Sequence, residues 1–254
     1  MSAEQGSIRI AAVGDLHCPR TSSEELQGLF EALADLADVL LLCGDLTDYG
    51  KPEEAREFAR QLPDARRLPA LAVLGNHEYE CGRHQEVIDI LSEQGVTVLD
   101  GTAVVVKGVG FAGVKGFCGG FGERALQPWG EGILKQFVRE SVDEALKLES
   151  ALAKLRTPSR VVLMHYSPIL DTVVGEPSEI IPFLGSSRLE EPVNRYGVTA
   201  VCHGHAHHGQ VEGRTRGGVP VYNVALPLLR RRFPDQRPIR FLDVPVGKTE
   251  AALA

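Results

Sequence analysis

The chain has 254 residues, 43% of them hydrophobic and 24% charged, so it has enough apolar sequence to bury a sizeable core. Its formal net charge is −7, whereas proteins that coat nucleic acid carry an excess of Lys and Arg. No apolar run approaches a membrane span, and the first ten residues lack the basic and apolar regions of a signal peptide. The five cysteines are dispersed without a CxxC pair, which argues against a disulfide framework or a cysteine zinc site. We therefore expect a cytoplasmic protein that neither binds an extended nucleic acid nor enters a membrane.

Short β-rich runs alternate with amphipathic stretches, a pattern typical of an α/β fold. In the first half, a capping box of Ser22 and Glu25 begins one helix, and Pro52 suits the first turn of another. The segment 96–114 has no helical period and predicts two or three strands, with turns at Asp100-Gly101 and near Gly108. The predicted strands before it are 7–13, 39–43 and 70–74, and the predicted helices are 22–36, 52–62 and 84–94.

The clearest helix spans 131–155, since apolar residues recur there at intervals of three and four. Ser187 and Glu190 have the pattern of a second capping box, although Pro192 would lie inside the helix that follows. The sequence has no internal repeat and no linker rich in Pro, Gly or Ser, so we predict a single domain, 1–254. The remaining predicted strands are 160–164, 199–202, 219–224 and 239–244.

Polar side chains that can bind ions follow five of the predicted strands. Ligands gather at the carboxyl edge of open α/β sheets, and each of these junctions offers oxygen or imidazole groups. Neighbouring glycines allow sharp turns and a close approach of the backbone to a bound ion. The residues at these junctions are Asp15, His17, Asp45, Asp48, Asn76, His77, Glu78, His165, His205 and His207.

Each of these junctions alone has a simpler interpretation. Asp-x-His is common in loops, and the segments around Asp45 and Asn76 suit turns or helix starts. His165 could be a hydrogen-bonded core histidine, and the four histidines within 203–208 could form a surface tract with weak metal affinity. Because all five occur in order, each after a strand, together they favour a metal site.

The five segments DLH, GDLTD, GNHE, HYSP and GHAH resemble the pattern of the calcineurin-like metallophosphoesterase superfamily. That pattern is DxH, GDxxD, GNH(D/E), H and GHxH, in the same order. The resemblance covers residues 7–222, which is most of the chain. It implies an α/β fold built as a four-layer α/β/β/α sandwich with mixed sheets, with two metal ions at strand ends between the facing sheets.

The resemblance also implies a role for each matching residue. His77 would face the substrate, where it stabilises the transition state or protonates the leaving oxygen, and Asp48 would orient it. A hydroxide that bridges the two ions would attack the phosphoryl group. The mixed oxygen and imidazole donors suit divalent or trivalent Mn, Fe, Zn or Ni and leave the choice among them open. The implied ligands are Asp15, His17, Asp45 and His207 for one ion, and Asp45, Asn76, His165 and His205 for the other.

Departures from the pattern narrow the choice among the branches of the superfamily. Purple acid phosphatases have a metal-binding tyrosine where this chain has Asp48, and a glycine where it has His17. Serine/threonine protein phosphatases have a phosphate-clamping arginine at the position of Tyr49, and repair nucleases have a basic groove. GDLTDYG with HYSP is most similar to the small bacterial branch that contains cyclic-nucleotide phosphodiesterases, although that branch usually has aspartate in place of Glu78.

The resulting hypothesis is a dinuclear metal-dependent phosphodiesterase that acts on a small substrate such as a nucleotide. The alternative within the same class is a phosphomonoesterase that acts on a small metabolite or nucleotide. A more remote alternative is a non-catalytic scaffold that uses the fold to bind proteins. The scaffold is disfavoured because His77, Asp48 and every implied ligand are present.

Two glycine-containing segments could border the pocket. Segment 113–122 could be a lip on which Phe117, Phe121 or Trp129 stacks against a ring, but a turn that packs its aromatic residues into the core is favoured. Segment 171–185, after His165, could form a second lip. The arginines at 230–232 could bind an anion, but a solvated surface run is the favoured interpretation.

Overall fold

The computed structural model describes residues 6–247 and contains two β-sheets with helices outside both. The two ends of the predicted domain, 1–5 and 248–254, lie outside the described residues, as does half of the segment assessed for a signal peptide. The helices are α1 Ser23–Phe30, α2 Pro52–Ala59, α3 His84–Glu93, α4 Gly132–Lys154, α5 Glu190–Arg195 and α6 Leu226–Arg232. The strands are β1 Ser7–Val13, β2 Val39–Cys43, β3 Ala70–Val73, β4 Thr97–Val98, β5 Thr102–Val106, β6 Val109–Val114, β7 Arg160–Met164, β8 Ala200–His203, β9 Glu212–Arg214, β10 Pro220–Asn223 and β11 Arg240–Pro245.

Both sheets are mixed, as predicted. The first has the order β11-β1-β2-β3-β4, with β1 to β4 parallel and β11 antiparallel to β1. The second has the order β5-β6-β7-β8-β10-β9, with a parallel centre and antiparallel strands β5 and β9 at its two edges. The parallel centres direct the carboxyl ends of β1, β2 and β3 to one edge of the first sheet, and those of β7 and β8 to one edge of the second.

Strand β2 shows why the molecule forms four layers. All five of its residues are buried, as expected for a parallel strand covered on both faces. Leu40 and Leu42 pack with residues of α1, α2 and α3, whereas Leu41 packs with Phe111 and Leu163 of the second sheet. On the far side, α4 and α5 cover the second sheet. The predicted α/β/β/α sandwich is therefore confirmed.

Helix α1 is shorter than predicted. The capping box of Ser22 and Glu25 forms as expected, with both reciprocal hydrogen bonds. The helix nevertheless ends at Phe30, because Glu31 is extended and Ala32 has a left-handed φ of 53°. A short 3₁₀ turn, Leu33–Asp35, occupies the rest of the predicted helix.

The predicted capping box of Ser187 and Glu190 does not form. Ser186 instead accepts a hydrogen bond from the Arg188 amide, and the Ser187 hydroxyl accepts one from the Gly122 amide. Pro192 lies in the first turn of α5, where backbone amides have no acceptor within the helix, so the missing N–H of proline costs no helical hydrogen bond.

Two elements were not predicted. Strand β9 is only three residues long and contains Gly213, so it carries little alternation of apolar and polar residues. Helix α6 contains the arginines at 230–232, which we interpreted as a surface run rather than as the end of a helix. Within residues 6–247, no helix has both the length and the apolar character needed to cross a membrane.

Candidate metal centre

The two sheets bring the predicted ligands together at their carboxyl edges. Loops after β1, β2 and β3 carry one part of the set, and loops after β7 and β8 carry the other. Three groups result, in each of which the donor atoms lie within 4.8 Å of one another, and one of them, His17, Asp45 and His77, overlaps the other two. The first group is Asp15, His17 and His207, and the second is Asp45, His165 and His205.

In the first group, the two sheets meet through Asp15. Its Oδ1 lies 2.9 Å from His207 Nε2, and its two oxygens accept hydrogen bonds of 3.0 and 2.9 Å from the His205 amide. His17 is 4% exposed, yet neither of its ring nitrogens has a hydrogen-bond partner among the described residues. A buried imidazole without partners is costly unless a cation binds it.

The second group is centred on His165, which is fully buried. Its Nδ1 lies 3.0 Å from the Cys43 carbonyl oxygen, to which it donates, so Nε2 is left to face the site. Asn76 Oδ1 lies 3.0 Å from this Nε2, and His205 Nδ1 lies 3.1 Å from it. The same nitrogen lies 3.4 Å from Asp45 Oδ2. The predicted ligands of the second ion therefore converge on one point.

Asp45 lies between the two groups. Its Oδ2 lies 3.9 Å from His17 Nε2, 3.4 Å from His165 Nε2 and 3.8 Å from His77 Nε2. Because one carboxylate faces a histidine of each group, it is placed to be shared by two ions.

The backbone at these positions is unusual. Asp15, His17, Asp45 and His205 all have positive φ values, between 46° and 70°. Such conformations cost on the order of 1 kcal/mol or more for non-glycine residues and are concentrated at functional sites. Gly75 is needed for a related reason, because a Cβ there would overlap the Asp45 carboxylate.

Burial and the neighbouring charges shift the pKa values of the ligand candidates in both directions. Burial alone would lower the pKa of His165, but the charge and hydrogen bonding of Asp45 raise it to about 9. Burial likewise opposes ionisation of Asp45, yet the neighbouring histidines hold its pKa below the usual range. For His205, burial and the charge of His165 lower the pKa to about 3, which leaves this imidazole neutral.

His77 and Asp48 lie beside the two groups. The Nδ1 of His77 lies 2.5 Å from the main-chain oxygen of Asp48, whereas the Asp48 carboxylate Oδ1 is 4.0 Å away. That carboxylate lies 3.5 Å from His17 Nδ1 and forms an ion pair of 2.5 Å with the exposed Arg20. The carbonyl of Asp48, rather than its carboxylate, is thus within hydrogen-bond distance of His77.

Glu78 has a structural role that the sequence analysis did not identify. It is fully buried, and its two oxygens accept hydrogen bonds from the amides of Asp45, Thr47 and Gly75 and from the Thr47 hydroxyl. Burial and the charge of Asp45 raise its pKa, while the bonds from Thr47 and Gly75 oppose that shift. The signal available in the sequence was the glutamate itself, at a position where the similar branch usually has aspartate. Its side chain is one methylene longer than that of aspartate and reaches the neighbouring loop.

The segments expected to border the site have different roles. Phe117 is partly buried and packs against Phe137 and Tyr166 at the edge of the core, in line with the favoured interpretation, whereas Phe121 lines a cavity and Trp129 is exposed. Each arginine of the 230–232 run contacts another part of the protein. Arg231 donates to the main-chain oxygen of the ligand candidate His207, while Arg230 pairs with Glu25 and Arg232 bonds to Gln210.

The residues present fit transition-metal ions. The donors are imidazole nitrogens, carboxylate oxygens and one amide oxygen, a set that suits Mn, Fe, Zn or Ni. The buried ring nitrogens of His17 that lack partners among the described residues indicate that this set of donors is incomplete without a cation.

A family model described as calcineurin-like phosphoesterase matches residues 8–209. No curated protein matches the chain. Solved structures with the same fold include PptH, a phosphopantetheinyl hydrolase from Mycobacterium tuberculosis, with 16% identity and a TM-score of 0.66 over 95% of this chain and 97% of that one. TT1561 of Thermus thermophilus has 17% identity and a TM-score of 0.55 over 95% and 100% of the two chains. GAP50, the anchor in the inner membrane complex of Plasmodium, has 12% identity and a TM-score of 0.54 over 87% and 72%.

The family model covers four-fifths of the chain and includes every residue of the two donor groups. Members of this family are phosphoester hydrolases that use two metal ions. From the sequence match and the convergence of the donors, we conclude that the chain belongs to the calcineurin-like phosphoesterase family.

Proposed function

We propose that this metal-dependent phosphoesterase hydrolyses small phosphodiesters, such as nucleotide esters, at the centre shared by Asp45. The observation that carries the proposal is the pair of donor groups that face the same Asp45 carboxylate, with His77 beside them and partly exposed. Two ions bound there would supply an activated water and would offset the negative charge of the phosphoryl oxygens.

We assign the ligands as the family pattern implies. Asp15, His17 and His207 would hold one ion together with Asp45, and Asn76, His165 and His205 would hold the other with the same carboxylate. In this arrangement the hydrogen bond from His165 to Cys43 fixes the imidazole tautomer, and the Asp15 bond to the His205 amide fixes one loop against the other. Both contacts orient donors without binding the ions themselves.

His77 is assigned to the proton transfer. Its Nδ1 faces the Asp48 main-chain oxygen, a contact that requires the proton on Nδ1 in the neutral ring. In the charged ring, Nε2 faces the centre with a proton to donate to the leaving oxygen. Asp48 acts as the positioning residue, through its carbonyl, while Arg20 holds the Asp48 carboxylate.

A diester is favoured over a monoester on charge. A phosphodiester carries one negative charge, whereas a monoester carries about two near neutral pH. At the position after Asp48, the chain has the half-exposed Tyr49 instead of a phosphate-clamping arginine, and Arg20 is already paired with Asp48. Neither position therefore supplies a free cationic side chain for the second negative charge of a monoester.

The test compares Mn²⁺-stimulated hydrolysis of bis-p-nitrophenyl phosphate and p-nitrophenyl phosphate by the wild-type protein and by His77→Ala. We expect the diester to be preferred, and the variant to be slower by about 10²–10⁴-fold because it lacks the acid–base group. Bound Mn should be equal in both proteins by elemental analysis. Preference for the monoester would support the alternative phosphomonoesterase, and equal rates in both proteins would remove His77 from the mechanism.

A scaffold function is the alternative that GAP50 represents, since that protein is described as an anchor. In this chain every donor position is filled and His17 has ring nitrogens without partners, features that a purely structural fold does not need. A metal-loaded protein that is inert toward diesters, monoesters and pyrophosphates would favour the scaffold.

We also propose a cytoplasmic location and a small phosphate ester, rather than nucleic acid or membrane, as the partner. All five cysteines are free thiols, and four of them are buried. Such thiols are typical of a reducing compartment. Cell fractionation with a tagged chain tests the location, and recovery outside the cytoplasmic fraction would contradict it.

A further inference from the structure

An apolar cavity of about 460 Å³ lies beside the candidate metal centre. Aromatic and aliphatic side chains form most of its wall, and Arg124 is the charged residue there. The volume is within the range of cavities that hold small organic ligands, about 300–1,000 Å³. The main apolar residues of the wall are Phe121, Phe137, Leu170, Ile181 and Phe183.

One wall residue of the cavity, Phe183, contacts a ligand candidate of the metal centre. The main-chain oxygen of Phe183 lies 3.3 Å from Nε2 of the ligand candidate His205. Phe121 and Ile181 also pack against a small buried cluster that includes Ala206, the residue between His205 and His207. A group bound in the cavity would therefore lie close to the loop that carries both histidines.

Several apolar side chains of the cavity wall are exposed to solvent, unlike those of the core. Phe183 is 56% exposed and Leu170 is 44% exposed, and Ile180 and Val174 on the same segment are 41% and 49% exposed. A contiguous group of exposed apolar side chains at the rim of a cavity is typical of a ligand-binding surface. The predicted lip 171–185 and Phe121 of the glycine-rich segment together form this rim.

From this geometry we infer that the cavity binds the organic group of the substrate, and that this group is an uncharged, largely apolar alkyl or aryl moiety. The inference rests on the proposed function, because the phosphoryl group must be held at the adjacent centre. A purely polar substituent would leave the aromatic wall in water, whereas an apolar one would cover Leu170 and Phe183. The preferred phosphate esters are therefore those of alcohols with several contiguous carbons.

The test measures binding rather than turnover. Calorimetry with the Mn²⁺-loaded protein compares methyl methylphosphonate with methyl n-butylphosphonate, monoanions that share the charged group of a diester and differ by three methylenes. Complete burial strengthens binding by up to about fourfold per methylene, so we expect the butyl compound to bind about tenfold more tightly in a half-open cavity. In Leu170→Ala and Phe183→Ala the ratio of the two affinities should fall toward one.

Leu36→Ala is the matched control, since Leu36 is 48% exposed and lies after α1, away from the cavity. Its affinity ratio should equal that of the wild-type protein. Equal affinity of the two phosphonates for the wild type, or an unchanged ratio in both cavity variants, would overturn the inference while leaving the metal centre intact. Failure of methyl methylphosphonate itself to bind would contradict the proposed function and the inference with it.

Discussion

Glu78 offers a sharp test of how the loop that carries Asp45 is held in place. In the wild-type protein, four donors end on its carboxylate, at 2.6 Å from the Gly75 amide, 2.8 Å from the amide and hydroxyl of Thr47, and 3.1 Å from the Asp45 amide. Glu78→Ala removes every acceptor at once. The hydroxyl of Thr47 can rotate to another partner, but the three amides cannot.

Each unpaired buried amide costs about 1–3 kcal/mol, and water that enters the space left by the side chain recovers part of this. We therefore expect Glu78→Ala to lower the free energy of unfolding by about 4 kcal/mol. Glu78→Gln should cost about 1–2 kcal/mol, because its amide oxygen keeps two of the bonds and the charge beside Asp45 is removed. For a chain of this length, these losses correspond to about 8–16 °C and 2–8 °C in Tm.

The assay is thermal and urea unfolding in the presence of a chelator, so that bound metal does not contribute to stability. Glu54→Ala is the matched control, because Glu54 is also buried but accepts from two amides, those of Tyr49 and Lys51. Its loss should fall between those of the two Glu78 variants. A loss under about 1 kcal/mol for Glu78→Ala, or equal losses for its Ala and Gln variants, would refute the hydrogen-bond accounting.

Three further predictions concern separate features. Arg20→Gln should lower kcat/KM for a diester about two- to fivefold, which corresponds to the free energy of a partly exposed ion pair. In an Asp48→Asn background the same substitution should have no further effect, and additive losses would contradict the pairing. Ser22→Ala should lower the urea-unfolding free energy by about 1 kcal/mol through loss of the N-cap, and an unchanged midpoint would show that α1 does not need it. The Lys107 hydrogen bond lowers the pKa of Asp38, so this group stabilises the fold above its unfolded pKa of about 3.9 and the contribution is lost as the pH falls below that value. The stability gap between wild type and Asp38→Asn, measured by urea unfolding, should therefore shrink from pH 7 to pH 3, and a gap that widened would reverse the assigned sign.

Much of the fold was predictable because its signals are local. The central strands are continuous apolar runs, and β2 and β7 have the predicted bounds. The early end of α1 was not predictable, since Glu31 and Ala32 both have high helix propensity and yet adopt non-helical backbone angles. Strand β9 is defined by pairing with β10, a long-range contact with almost no pattern of its own.

For the candidate centre, the sequence indicated the ligand candidates but not the contacts that surround them. The order of the polar segments indicated the residues that the two sheets bring together, because parallel strands end at a common edge. The Arg20–Asp48 ion pair and the contact of Arg231 with the His207 carbonyl depend on side-chain reach, which no sequence spacing encodes. The cavity beside Phe183 likewise requires four segments to meet, at 119–126, 137, 170 and 181–183.

Because the donors are divided between two sheets, the layer between those sheets sets the distance across the centre. Asp15, Asp45 and Asn76 follow strands of the first sheet, whereas most of the candidate histidines follow strands of the second. Leu41 and Leu163 fill the space between the two sheets. Metal–ligand distances tolerate only about 0.2 Å of error, which is less than the backbone shift that a changed core volume can cause. The inter-sheet layer is thus under a dimensional constraint that the helix-facing layers do not share. Substitutions there would change metal affinity at sites far from any donor, even where the protein still folds.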